Sequence, residues 1–166
     1  MLKLLGSLCI LGGGILARYF QAAERRREMD TLSDLLWALR RMAEEIRMAR
    51  TPMPLLLERL SQGCGETAGA FFRAAADAVR RGESLGTAWR REAEKLPLSA
   101  AASSAALAEL GEDLCGDEES ICKAISLVIY SLAKDAEERT RRRPEEARQS
   151  AALWLSGAAL LVILLI

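Results

Sequence analysis

Histidine is absent from these 166 residues, aromatic residues make up 5% of them, and proline occurs four times. Without histidine the chain has neither the commonest general base nor the commonest neutral metal ligand. Four cysteines, Cys9, Cys64, Cys115 and Cys122, stand far apart and form no C-x-x-C pair. A zinc cluster or thioredoxin-like site is therefore not expected, and the four read as small, reduced, packing residues. No G-K-[ST] occurs, so there is no P-loop. "GCGETAG" (63–69) follows no strand and lacks the dinucleotide spacing, so it reads as a turn. A G-x-S-x-G elbow is missing as well. Neither charge sign is in excess: 23 Lys and Arg face 23 Asp and Glu. That balance gives no basic field for nucleic acid. No catalytic residue, metal or cofactor emerges, and the chain reads as a non-enzymatic protein.

Ala, Leu, Arg and Glu dominate what remains, and no stretch alternates as a strand does. From Phe20 to Arg50 the pattern predicts one long helix. Leu32, Leu35, Leu36, Leu39, Met42 and Ile46 form its apolar stripe, and pairs such as Arg40–Glu44 lie on its other face. "TPMP" (51–54), with Thr51 and Pro52, ends that helix and starts a second, carrying Leu56, Leu57 and Leu60. "QGCGE" (62–66) is the next turn. A third helix, about 67–80, presents Phe71, Phe72, Ala75, Ala78 and Val79. "RGES" (81–84), with Gly82 in it, breaks the chain again, and Ser84 is the expected N-cap of a fourth helix. That helix carries Leu85, Ala88, Trp89 and Leu96 up to Pro97. A fifth follows with Leu107, Leu110, Gly111 and Leu114. "CGDEES" (115–120) precedes a sixth with Ile121, Ile125, Val128, Ile129, Leu132 and Ala136. Trp37 and Trp89 are expected as packing anchors. Short connectors make neighbours antiparallel, so the expected fold is an all-α, antiparallel six-helix bundle.

Both ends are apolar. "LLGSLCILGGGILA" (4–17) is followed by Arg18, Arg25, Arg26 and Arg27. "SAALWLSGAALLVILLI" (150–166) is preceded by Arg141, Arg142, Arg143 and Arg148. As a helix the C-terminal run reaches about 25 Å, slightly short of a bilayer core. The positive-inside rule puts the middle of the chain on the cytoplasmic side of both runs. The expected organisation is an N-terminal membrane anchor over 1–19, a cytoplasmic helical bundle over 20–149 and a C-terminal membrane anchor over 150–166.

A helical surface held at a membrane works by binding other proteins. Two clusters are candidate partner-binding sites: the acidic turn Glu112, Asp113, Asp117, Glu118 and Glu119, and the basic patch Arg80, Arg81, Arg90 and Arg91. Solvated faces are the plainer reading of both. The residues by themselves leave open a membrane-anchored helical adaptor unconnected with secretion.

Five stretches stand out together: "MLKLLGSLCILGG" at the start, "RTPMPL" (50–55), "GESLGTAW" (82–89), "LGEDL" (110–114) and the terminal "GAALLVILLI". With them, and over nearly its whole length, the chain resembles the stage III sporulation protein AB family of endospore-forming bacteria. One departure is Cys115, where the family commonly has glycine. The resemblance implies a bundle like the cytoplasmic F domain of type II secretion platforms. It implies a scaffold in the sporulation channel between mother cell and forespore, in the mother-cell-side membrane. It also implies contact with a secretion-type ATPase and other channel components, and room for a homo-oligomer.

Overall fold

Leu32, Leu35, Leu39 and Met42 are wholly buried, at the three- and four-residue steps of one helix face. The helix that carries them, α1 (Leu2–Ala49), begins well before Phe20, because nothing between the terminal run and the stripe stops it. In this computed structural model the backbone is described for 2–49 and 51–165, and side chains for 19–20, 22–48 and 51–141. Among the described residues there are six helices and no strand. After α1 come α2 (Met53–Gly63), α3 (Glu66–Arg80), α4 (Leu85–Ala93), α5 (Ala101–Asp113) and α6 (Glu118–Leu165).

Each break has a local cause. Pro52 disfavours helix at the residue before it, and its own carbonyl accepts from the Leu55 and Leu56 amides at 3.0 and 3.1 Å, opening α2. Cys64 and Gly65 make the tight turn into α3, so α2 runs slightly further into "QGCGE" than its composition suggests. Gly82, at φ +88°, ends α3 in a left-handed position. The Glu83 amide donates to Ala78 and the Gly82 amide to Val79, both at 3.0 Å, which is the Schellman closure. Ser84 stands at the N-cap position of α4, but its side chain makes no capping bond, so the expected cap is absent. Helix α4 ends at Ala93, and Leu96 reaches the core from beyond it.

Contacts divide the chain into two units, Met1–Leu132 and Ala133–Ile166. In the first, one core joins Leu57 and Leu60 of α2 and Phe71 and Phe72 of α3. Trp89 of α4, Leu107 and Leu110 of α5, and Ile125 and Leu132 of α6 complete it. Gly86 near the start of α4 lies against Gly111 at the end of α5, so these helices run antiparallel. Arg80 at the end of α3 pairs with Glu58 on α2, as an antiparallel hairpin requires. Trp89 is fully buried, edge-on to Phe71 and Phe72 at centroid distances of 4.7 and 5.9 Å, as its reading as an anchor implies. Trp37 is 46% exposed and covers Gly63, so it is a lid on the α2 terminus more than a core residue.

In the second unit, the described residues form helix with its own i,i+4 ion pairs, Asp135–Arg139 and Glu137–Arg141, both at 2.7 Å. Among the described residues no helix is long and apolar enough to cross a membrane. The side chains of the expected anchors, 1–18 of the first and 150–166 of the second, lie outside the described residues.

Candidate functional site

The basic patch is largely neutralised from within. Arg80 pairs with Glu58 and, at 3.2 Å, with Asp77. Arg90 reaches from α4 to Glu112 near the end of α5, which joins the two candidate clusters by one ion pair. Arg91 pairs with Glu83 and, at 3.1 Å, with Glu92. The hydrogen bonds it donates, to Glu83 first and Glu92 second, raise the Arg91 guanidinium above its ordinary value. Burial pushes the Glu92 carboxyl up, but Lys95 and Arg91 donate to it and hold it below the usual range. Of the four arginines of the patch, Arg81, just past α3, is the one with no ion pair among the described residues. The patch is thus mainly a clasp between the α3–α4 turn, α4 and α5.

The acidic turn divides in two. Asp117 caps α6: it accepts from the Ser120 hydroxyl at 2.7 Å and from the Ser120 amide at 3.3 Å. The Ser120 hydroxyl above all, with the amide beside it, holds the Asp117 carboxyl below its usual range. Glu118 and Glu119 follow in the first turn of α6, where the helix dipole favours carboxylates. Glu112 is taken by Arg90. Asp113, Glu118 and Glu119 are exposed and carry no ion pair among the described residues. Arg47 near the end of α1 lines an open groove with Asp117, Glu118, Glu119, Lys123 and Ser126. Arg47 thus stands on one side of a groove whose other side is the start of α6.

Thr51 donates to Glu45 at 3.5 Å beside Pro52, Leu85 packs partly buried on the core, and Leu114 is buried. Gly116, in the turn after Leu114, is not among the positive-φ glycines, and the turn is closed by the Cys115 amide donating to Glu112 at 3.3 Å and the Gly116 amide to Asp113 at 3.0 Å. Cys115 stands in that turn with its side chain exposed rather than packed. Cys64 is half-buried and Cys122 buried. Burial first and the nearby Asp34 charge second push the Cys64 thiol up to about 12.

Two positions escaped the sequence reading. Glu28, 7% exposed, accepts from both the amide and the hydroxyl of Ser99 at 2.5 Å, tying the α4–α5 connector to α1. Asp34 accepts from the Gly65 amide at 2.9 Å and so caps α3 from another helix. Both partners are distant in sequence, and nothing in the periodicity marks them. The expected Arg40–Glu44 pair is not formed: Arg41 takes Glu44 at 3.4 Å and Glu45 at 2.7 Å. Among the described residues no group of His, Cys, Asp and Glu could hold a metal ion.

A family model described as stage III sporulation protein AB matches residues 3–166. The chain belongs to the stage III sporulation protein AB family. Its role accordingly lies in sporulation. A solved structure titled stage III sporulation protein AB superposes with a TM-score of 0.64 at 23% identity, covering 71% of this chain and 97% of that one. At that identity the likeness speaks for the fold. No curated protein matches the chain.

Proposed function

We propose that the chain is a non-enzymatic platform in the sporulation channel between mother cell and forespore. Residues 1–19 and 150–166 anchor it in the mother-cell-side membrane, and 20–149 form its cytoplasmic body. That body docks a secretion-type ATPase and links it to other channel components, with copies of the chain side by side. The observation that carries this reading is a family match running from 3 to 166, which takes in both apolar ends together with the bundle. The arginines flanking each apolar run, and the six-helix form expected of a type II secretion F domain, support it.

Within the body, the docking face is the acidic end. Arg80, Arg90 and Arg91 are spent on this chain's own carboxylates, whereas Asp113, Glu118 and Glu119 keep free charge. Free, exposed charge steers and selects a partner more than internally paired charge does. The full-length chain, extracted from membranes, should retain the ATPase on purification. Glu118→Lys with Glu119→Lys should weaken that retention by about tenfold or more while leaving the fold intact. Failure of the unaltered full-length chain to retain the ATPase would remove the platform reading.

A further inference from the structure

Helix α1 carries an exposed aromatic pair that the bundle does not cover. Tyr19 is 75% and Phe20 65% exposed, and their rings meet edge-on with centroids 6.5 Å apart. Among the described residues, buried positions on α1 begin at Glu28, about 13 Å along the helix from the pair. Seven residues separate Tyr19 from Arg26 and Phe20 from Arg27. That spacing is almost two full turns, so each arginine lies on the same face as its ring, about 10 Å further along. Arg26 and Arg27 are exposed and form no ion pair among the described residues. On the other side of the pair, the sequence from Leu4 to Ala17 has no charge.

In sequence the uncharged run is followed by Arg18, whose long side chain can snorkel to the interface, then by the aromatic pair and by two cations on the faces of the pair, an order of hydrocarbon, interface and headgroup. Exposed Glu24 lies between and lowers the local positive charge, but it leaves both arginines free. We propose that Tyr19 and Phe20 seat in the membrane interface while Arg26 and Arg27 bind the phosphates of anionic phospholipids. The chain then gathers anionic lipid around α1. This rests on the anchoring of the N-terminal run proposed above.

The test uses the full-length chain in lipid nanodiscs, of phosphatidylcholine alone or mixed with phosphatidylglycerol. Backbone hydrogen exchange is followed over residues 19–27. With phosphatidylglycerol, exchange should slow by about fivefold for each engaged arginine. Arg26→Gln with Arg27→Gln should abolish the difference between the two lipids, and Arg40→Gln, on an exposed site elsewhere on α1, should leave it. Soluble glycerol phosphate added to phosphatidylcholine discs should not slow exchange. Equal exchange in both lipids overturns the proposal, as does a difference that survives in the double variant. Slowing by soluble glycerol phosphate also overturns it, since the site would then take a free anion. Flotation of the discs reads anchoring separately: a chain that stays behind sinks the anchoring reading and this inference with it.

Discussion

The Trp89 indole rests on Gly111 so closely that a Cβ there would stand 2.9 Å from Trp89 Cβ and Cδ1. One turn earlier on the same helix, the Leu107 carbonyl accepts from the indole N–H at 2.7 Å. The ring therefore packs against α5 with its polar group satisfied inside the core, a placement that only a residue without a side chain at 111 permits. Gly111→Ala should cost about 1–3 kcal/mol through overpacking, and Trp89→Ala about 3–5 kcal/mol through the cavity left behind. Urea unfolding of each variant measures both. A neutral Gly111→Ala would mean that α4 and α5 are further apart than described.

Gly82 poses the opposite problem, since nothing lies within 4 Å of a Cβ placed there and the backbone alone is demanding. Gly82→Ala should destabilise by about 1–2 kcal/mol, the cost of a left-handed L-residue. Gly82→Asn should cost less, because asparagine tolerates that conformation. Thermal unfolding of the two variants side by side checks the order.

The thiols should separate by reactivity. Cys115 is exposed, Cys122 is buried, and the Cys64 thiol is pushed up to about 12 and donates to the Asp34 carbonyl at 3.8 Å. At neutral pH the thiolate is the reacting form, so Cys64 is slow even where it is reached. Peptide mapping after brief maleimide treatment of the native protein should find Cys115 labelled well ahead of Cys64 and Cys122. Early labelling of Cys64 would contradict its described surroundings.

The α6 cap should make the protein sensitive to acid. The Asp117 carboxyl lies below its usual range when folded, so its stabilisation is complete above the ordinary aspartate value, about 3.9. It is lost as pH falls through the lower folded value. Asp117→Asn keeps a good capping side chain but does not titrate. Its stability should therefore fall less steeply than that of the natural chain below about pH 4. Parallel slopes in acid denaturation would exclude this role.

Leu32, Leu35, Leu39 and Met42 were legible as an inward stripe because a helix repeats its face every three or four residues. Pro52, Gly82 and the stretch from Leu114 to Asp117 were legible as breaks for equally local reasons. The candidate clusters were legible only as lists of charges. Arg80 reads as free until Glu58, 22 residues away, is placed beside it, and the same holds for Arg90 and Glu112. Leu127 and Tyr130, 64% and 71% exposed, fall outside the inward stripe of α6.

By itself the sequence determined six helices, most of their inward faces and the breaks between them, since backbone propensity and periodicity act over a few residues. The tertiary structure alone decided which charges cancel, which carboxylates remain free at the acidic end, and that Glu28 and Asp34 bind connectors far along the chain. Those pairings depend on how helices remote in sequence come to lie side by side, and no short-range pattern encodes that distance.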